Sequence, residues 1–241
     1  MIQKTRGIVL HSIKYGDTSL IAHLYTENFG RHSFLFKGIR SKKSKIRSNL
    51  IQPLFILNLE AYIKEGKDLS LVKEAAAAKV FLHFPYDMKK VAQVMFMAEV
   101  LYHCLKEEES NKSLFDFLIS SIEYFDLLET GSADFHIIFL VKLSKFLGYY
   151  PSSREKKNDL VFDMKDGIYK DEIPTHVDYL DLFNSQLLDE ILNTNYENLT
   201  GLNLNRVRRQ NLLEDILRFY SFHMEGITNL KSYAVLRDLF I

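Results

Sequence analysis

Residues 34–47 read FLFKGIRSKKSKIR, a short apolar segment that runs directly into a cationic loop. Phe34 and Phe36 have the spacing of a β-strand, and Gly38 lets the backbone turn after it. The loop holds no acidic residue and six cations, which are Lys37, Arg40, Lys42, Lys43, Lys45 and Arg47. A mobile loop of this kind can bind nucleic-acid phosphates, but a solvated loop that keeps a protein soluble has the same composition. The rest of the chain has to decide between the two interpretations.

Charge is distributed very unevenly along the chain, although the formal net charge is zero. The first 50 residues carry ten Lys and Arg against two acidic residues, a net charge of +8. Residues 51–80 are balanced, whereas residues 81–160 carry −3 and residues 161–241 carry −5. This asymmetry predicts a module that binds a polyanion, joined to an acidic scaffold of a different kind.

Composition places the chain among ordinary globular proteins, with 241 residues of which 47% are hydrophobic and 26% charged. Cys104 is the one cysteine, so a disulfide within the chain and a zinc site with several cysteines are both excluded. A reducing, cytoplasmic compartment fits this usage. Residues 1–30 lack the pattern of a signal peptide, and the apolar stretch Phe135–Val141 is too short to span a bilayer.

The first eighty residues predict β-structure. The expected strands are Arg6–Lys14, Ser19–Thr26, Arg31–Lys37, a bent strand over Leu50–Ile63, and a strand that begins over Leu69–Lys73. Five short strands without long intervening helices indicate a small barrel, and an OB-type barrel is one solution that the pattern alone does not select. A small barrel needs filling, so Phe34 and Phe36 are expected in its core.

From residue 81 onward the apolar residues recur with helical spacing. The predicted helices are Val91–Leu105, Leu114–Leu128, Phe135–Leu147, Asn184–Asn193, Arg206–Met224 and Lys231–Phe240. Phe135–Leu147 is apolar on nearly all sides and is expected to be the central helix of a bundle. Residues 149–180 are irregular and contain a predicted hairpin around Gly167. The predicted class is therefore α+β and multidomain, with a barrel domain over 1–80 and a helical domain with a small hairpin insertion over 81–241.

Motifs for catalysis, phosphate-loop binding or metal binding are absent from the sequence. The eight histidines are scattered, and Cys104 beside a helical apolar stripe is expected to be a buried, inert thiol. Asp163 and Asp166 lack the spacing of a calcium loop and fit a hairpin turn better. We therefore expect no enzyme activity, no cofactor and no metal. Nucleic acid is the favoured ligand, with cations for phosphates and tyrosines such as Tyr15 and Tyr25 for bases.

A series of short motifs resembles the bacterial RecO family of recombination mediators. The motifs are Arg6-Gly7-Ile8-Val9-Leu10, Tyr15-Gly16-Asp17-Thr18-Ser19, Tyr25-Thr26 with Gly30, Lys37-Gly38-Ile39-Arg40-Ser41-Lys42-Lys43-Ser44, Leu50-Ile51-Gln52-Pro53-Leu54, Leu147-Gly148-Tyr149 and Leu230-Lys231-Ser232. The lysine-rich motif is the most specific of them, and the order and spacing of the set carry the resemblance. Some members of the family hold a zinc ion with four cysteines after the Leu-Gly-Tyr motif, whereas residues 149–180 contain none.

The resemblance implies an N-terminal OB-fold and a C-terminal helical domain. It implies binding of single- and double-stranded DNA, annealing of complementary strands, and loading of RecA on protein-coated single strands in the RecF pathway of DNA repair and recombination. The implied partners are RecR and the acidic C-terminal tail of the single-stranded-DNA-binding protein. The implied location is the bacterial cytoplasm in association with the nucleoid.

Two sets of residues are candidates for these contacts. The DNA-binding candidates are Lys37, Arg40, Lys42, Lys43, Lys45, Arg47, Tyr15, Tyr25 and Arg6. The candidates for binding a partner are Lys142, Lys145, Arg206, Arg208 and Arg209. An alternative hypothesis is a protein-interaction scaffold whose cationic loop binds an acidic partner peptide and meets DNA only incidentally.

Overall fold

A computed structural model describes residues 1–42, 44–63, 68–129, 132–152, 161–193, 196, 202 and 204–239 of the protein. The chain divides into two compact units, Met1–Leu127 and Leu128–Ile241. The first unit contains a closed β-barrel, and the second contains helices and a two-stranded hairpin. The predicted α+β class, with a barrel followed by a helical part, is confirmed.

Five strands form the barrel. They are β1 (Ile2–Tyr15), β2 (Ser19–Thr26), β3 (Gly30–Phe36), β4 (Ile56–Tyr62) and β5 (Leu69–Ala77). Their order around the barrel is β1-β2-β3-β5-β4, and β4 closes the barrel by pairing with β1. The pair of β3 and β5 is parallel and every other pair is antiparallel. A small closed barrel of five strands in this order is OB-like, as the sequence predicts.

The barrel core is formed by the inward-facing side chains of the strands, which alternate with outward-facing ones. Phe34 and Phe36 are 0% and 1% exposed inside it, which confirms their predicted core position. A bulge between Val9 and His11 in β1 bends this long strand. The bend lets the first half of β1 pair with β4 while the second half pairs with β2.

The fourth strand is shorter than predicted. It begins at Ile56 rather than near Leu50, because the preceding residues form turns, including a 3-10 turn over Ser48–Leu50. Leu54 has a left-handed φ of 60°, which no strand residue adopts, and its amide donates to the carbonyl of Val9 at 2.7 Å. The prediction of a bent strand over Leu50–Ile63 is therefore wrong in its first half.

Two helices, α1 (Met88–Cys104) and α2 (Lys112–Leu127), belong to the same unit as the barrel. The ring of Tyr102 lies 4.8 Å from His11 and 5.3 Å from His23, between ring centroids. These contacts cover part of the outer surface of the barrel. The predicted domain boundary near residue 80 lies just after the last barrel strand. The boundary between the two compact units lies later in the chain, at the end of α2.

The second unit contains α3 (Phe135–Leu143), β6 (Val161–Asp163), β7 (Ile168–Lys170), α4 (Leu182–Asn193), α5 (Arg206–Ser221) and α6 (Lys231–Leu239). All but one of the residues of α3 are buried, so its predicted central position is confirmed. Tyr220 on α5 donates its hydroxyl to the carbonyl of Leu140 on α3 at 2.6 Å. β6 and β7 pair as the predicted hairpin.

Candidate nucleic-acid interface

The cationic loop, residues 37–47, connects β3 to the 3-10 turn over Ser48–Leu50, which precedes β4. Lys43 lies outside the described residues. The other five cations are all exposed: Lys37, Arg40, Lys42, Lys45 and Arg47. Within the described part of the chain, none of these five forms an ion pair with a carboxylate. Their charges are therefore available to a polyanion.

The loop is anchored to the barrel rather than hanging free from it. Ile39 is 3% exposed and belongs to the barrel core. The amide of Gly38 donates to the hydroxyl of Ser19 at 3.2 Å, and the amide of Arg40 donates to the carbonyl of Thr18 at 2.8 Å. The expectation of a mobile loop is thus corrected for its first half. Anchoring holds the cations near fixed positions, which lowers the entropy lost when they bind.

These hydrogen bonds bring Tyr15 beside the cationic loop. Tyr15 ends β1, immediately before the turn that contains Thr18, and its side chain is 53% exposed. An exposed aromatic ring on the strand that leads into this turn, with unpaired cations on the loop, is the combination that binds an unpaired base and its phosphate. The structure therefore places Tyr15 at the same end of the barrel as the loop, which the sequence alone does not show.

Tyr25 is enclosed, in contrast to Tyr15. It points outward from β2, but the ring of Phe115 on α2 lies 6.4 Å away and only 2% of the residue is exposed. Burial raises the pKa of the Tyr25 hydroxyl to about 12. A base has no access to this ring, so the expectation that Tyr25 stacks on DNA does not agree with its burial.

Arg6 is also used within the fold. Its Nε and Nη2 atoms each donate to the Glu27 carboxylate at 2.9 Å, and its guanidinium lies 5.3 Å from the centre of the Phe115 ring. The hydrogen bond from Arg6 lowers the pKa of Glu27. Because its charge is already paired, Arg6 is a weaker candidate for phosphate binding than the loop cations.

Other cations of the barrel are neutralised in the same way. Lys4 and Lys73 lie 2.7 Å and 3.3 Å from the two carboxylate oxygens of Glu60. The positive charge of the first fifty residues is thus concentrated at the cationic loop, because several cations elsewhere on the barrel have acidic partners.

The lysine candidates of the second unit differ in exposure. Lys142 is half-buried and donates from Nζ to the carbonyl of Leu192 at 3.1 Å, near the C-terminus of α4. A cation at a helix C-terminus stabilises the helix. Burial lowers the pKa of Lys142, and nearby Lys145 adds to the effect. Lys145 is exposed, with its ammonium 6.0 Å from the centre of the Tyr150 ring.

The three arginine candidates at the start of α5 also have different environments. Arg209 donates to Asp134 at 2.6 Å and to the carbonyl of Leu204 at 2.6 Å, and only 15% of its side chain is exposed. Arg208 is exposed, with its guanidinium 4.2 Å from the centre of the Phe183 ring. Arg206 is exposed as well. Arg209 therefore has a structural role, whereas Arg206 and Arg208 present their charges to solvent.

The second unit has a small, shallow groove that is lined mainly by residues of α5 and α6. It combines cations with an apolar floor, and its lining includes Arg206, Arg209, Arg237, Tyr233, Leu213 and Leu236. Arg237 and Tyr233 are not among the candidates predicted from the sequence. Their spacing of four residues places them on one face of α6, which is the signal that identifies them.

The hairpin of β6 and β7 is held by a charge network around Asp163. This carboxylate is 0% exposed and accepts hydrogen bonds from Lys170 at 2.7 Å and from His176 at 3.2 Å. The backbone amides of Lys165 and Asp166 donate to its other oxygen at 2.9 Å and 3.2 Å. In the described ranges no group of three or more His, Cys, Asp or Glu residues is arranged to hold a metal ion.

Two family models together match almost the whole chain. The model for the N-terminal part of recombination protein O matches residues 1–81, and the model for its C-terminal part matches residues 85–234. The chain belongs to the RecO family. Proteins described as DNA repair protein RecO are similar to this chain over their full length. The protein of Bacteroides fragilis is 39% identical and that of Phocaeicola vulgatus 36% identical, each with 100% of both chains covered.

RecO family membership confirms the resemblance that the sequence motifs indicate, and it assigns the chain to DNA repair. A third relative, DNA repair protein RecO of Flavobacterium johnsoniae, is 34% identical over 98% of each chain. Among the described residues, none of the helices is long and apolar enough to cross a membrane.

Proposed function

We propose that the protein is a non-enzymatic recombination mediator that binds single- and double-stranded DNA through its cationic loop. In this proposal it anneals complementary strands and, with RecR, helps to load RecA on single strands that are coated by the single-stranded-DNA-binding protein. It would act at the nucleoid. RecO family membership and the OB-like barrel both support a role on DNA.

One observation carries the DNA-binding proposal. The cationic loop presents five described cations that are exposed and have no acidic partner in the described part of the chain, on a segment fixed to the barrel by Ile39. Such cations neutralise nucleic-acid phosphates and release the counterions condensed on the strand, which gives binding that is independent of sequence and strongly dependent on salt.

Fluorescence anisotropy with an unstructured single-stranded oligonucleotide across a salt series tests the proposal. The logarithm of the binding constant should fall with the logarithm of salt concentration, with a slope of about −0.7 for each phosphate contacted. Replacing Lys37, Arg40 and Lys42 together by alanine should make the slope less negative by about 2, if each binds one phosphate. Lys89 and Lys106 are exposed cations on and beside α1, and their alanine variants serve as the matched control.

An unchanged slope and affinity in the loop variant would refute the role of the loop in DNA binding. Loss of binding to an acidic peptide with DNA binding intact would instead support the alternative scaffold hypothesis. An annealing assay on complementary strands coated with the single-stranded-DNA-binding protein then tests the mediator role, and RecR-dependent loading of RecA tests the later step.

We propose that the groove between α5 and α6 receives the acidic tail of the single-stranded-DNA-binding protein. Arg206 supplies positive charge at the groove, and so does Arg237, whose Nε atom also lies 3.4 Å from the exposed Asp238 carboxylate. Leu213 and Leu236 supply an apolar floor for a hydrophobic side chain. Arg206→Ala with Arg237→Ala should weaken binding of a peptide with the tail sequence. The control is Lys165→Ala, since Lys165 is exposed in the same unit but does not line the groove. Equal affinities for the two variants would contradict this location.

A further inference from the structure

One edge of β5 is open along the second half of the strand. β3 pairs with β5 only over residues 69–71, whereas β4 pairs with it as far as Ala77. On the side away from β4, the structure describes no strand that pairs with β5 after Leu71. We call residues 75–77 the open edge; all three are alanine, the last two are exposed and the first is half-buried. The gap is local, because the pairing of β3 with β5 closes the rest of the barrel.

The backbone of the open edge directs hydrogen-bonding groups outward. The amide of Ala78 donates to the carbonyl of Ile56 on β4 at 2.8 Å. Since neighbouring residues along an antiparallel strand alternate in direction, Ala75 and Ala77 turn their N–H and C=O groups away from β4. Among the residues that the structure describes, no group bonds to them on that side. The donors and acceptors that would pair with one more strand are therefore unused.

The open edge also lacks the usual protection of an exposed strand. Soluble proteins guard such edges with charged side chains, proline or a covering helix, whereas residues 75–78 are all alanine and largely exposed. Lys73 precedes these alanines, and its ammonium lies 3.3 Å from the Glu60 carboxylate. Lys79 follows them, at 2.9 Å from the Glu123 carboxylate. An unprotected edge of this kind is a template for strand addition, in which the backbone of an extended segment pairs with it.

The cationic loop determines which segment fits the open edge. The loop follows β3, the neighbour of β5 on the open side, and leaves the sheet where the pairing of β3 with β5 ends. Ile46 of the loop and Ala75 of the open edge both pack against the barrel core. Lys45 and Arg47 flank Ile46, are exposed, and form no ion pair with any carboxylate that the structure describes. Positive charge on this side of β5 favours an acidic segment.

We propose that the open edge binds an extended, acidic segment of a partner protein, which joins the barrel as an additional strand beside β5. The backbone of the segment pairs with Ala75 and Ala77, and its carboxylates lie against the loop cations. Nucleic acid can neutralise the cations but has no peptide backbone to pair with the strand. A second copy of this chain fits less well, because it would bring its own cationic loop against the first. The inference concerns protein binding and does not depend on the proposed DNA-binding function.

Fluorescence anisotropy tests the inference with a short labelled peptide in which valine and aspartate alternate. Ala77→Pro removes one outward N–H, and proline is tolerated at strand edges where that N–H faces solvent. The affinity of this variant for the peptide should fall about tenfold, the scale of one lost hydrogen bond. Ala77→Val is the matched control, because it changes the same side chain and keeps the N–H, and it should bind like wild type. Thermal unfolding checks that both variants are folded.

The contribution of charge is tested with a second peptide in which valine and lysine alternate. Wild type should bind it at least about tenfold more weakly than the aspartate peptide, since it places like charges beside the loop. Lys45→Ala with Arg47→Ala should reduce this difference between the two peptides. Lys89→Ala with Lys106→Ala, which changes exposed cations on and beside α1, should leave it unchanged.

Hydrogen exchange of the wild-type protein needs no substitution and therefore remains decisive if Ala77→Pro fails to fold. The amides of Ala75 and Ala77 should exchange quickly in the free protein and slowly with saturating aspartate peptide, because the added strand takes up both N–H groups. The amide of Ala78, which already donates to Ile56, should change little.

Equal affinities of wild type and Ala77→Pro for the aspartate peptide would overturn the inference, and so would unchanged exchange at Ala75 and Ala77. An aspartate peptide that does not bind at about 1 mM would also overturn it. If self-association protects these amides, the open edge is a contact between copies and the inference is wrong. Ala77→Pro should leave oligonucleotide binding unchanged, so a failure of the DNA-binding proposal and a failure of this one are distinguished.

Discussion

Replacing Asp163 by asparagine should destabilise the hairpin of the second unit. The substitution keeps the shape of the side chain and one oxygen for the two backbone amides, but it removes the charge that faces Lys170 and His176. The carboxylate is fully buried, so solvent does not replace these contacts. Residues 149–180 contain no cysteine, and this charge network helps to hold the two strands of the hairpin together.

The magnitude follows from the partners of Asp163. A hydrogen bond to a charged group contributes about 1.5–3 kcal/mol net, and an ion pair that is broken in the interior costs about 3–5 kcal/mol. Lys170 reduces this cost because its side chain is 33% exposed and keeps a second partner, Asp166, at 2.6 Å. We therefore expect a loss of about 2 kcal/mol in the free energy of unfolding of the second unit.

The pH dependence gives an independent test. Burial acts to raise the pKa of Asp163, but hydrogen bonds from Lys170 and from the amides of Asp166 and Lys165 outweigh it, so the pKa is lowered. A carboxyl whose folded pKa is lowered stabilises the fold fully above its unfolded pKa of about 3.9. That stability is lost as the pH falls through the folded pKa. The Asp163→Asn variant should lack this loss at low pH.

Hydrogen exchange of the hairpin amides, together with urea unfolding of the full chain, measures the effect. A chain with two compact units can unfold in more than one step under urea. The exchange rates of the hairpin amides therefore assign the change to the hairpin. Asp171→Asn is the matched control, because Asp171 is an exposed acidic residue next to β7. If both variants unfold with the same free energy at neutral pH, the reasoning about the buried charge network is refuted.

Three further predictions concern packing and buried charge. Gly30→Ala should destabilise the first unit by more than about 2 kcal/mol in urea unfolding, since the φ of +56° suits glycine and a Cβ would clash with the carbonyl oxygen of Glu109; a small change would contradict this prediction. Burial lowers the pKa of His136 to about 3, so stability should fall below pH 6.5 by up to about 1.4 kcal/mol per pH unit as the unfolded chain takes up a proton, and His136→Gln should flatten this profile in pH-dependent unfolding. Arg209→Ala should cost about 3–5 kcal/mol because it leaves the buried Asp134 carboxylate without its cation, and an unfolding curve like that of wild type would refute the structural role.

Sequence periodicity located most of the elements because alternation and helical spacing are local properties. The apolar pattern of Ser19–Thr26 predicted β2 with its observed bounds, and the spacing of Phe34 and Phe36 predicted their core positions. The left-handed backbone at Leu54 was missed, since no propensity of leucine indicates it. Segmental charge identified the cationic loop, and ordered motifs identified the family, since both are also properties of the chain itself.

Accessibility, in contrast, was decided only by tertiary structure. Tyr25 was expected to be accessible to a base, but it is buried, because α2 brings Phe115 over it from ninety residues away in the chain. In the sequence Arg209 belongs to a basic cluster, yet in the structure it forms an ion pair with Asp134, which is 75 residues away in the chain. Burial, ion pairing and cross-strand neighbours depend on contacts between segments that are distant in the chain. The pattern of residues along the sequence does not show which of these segments come into contact.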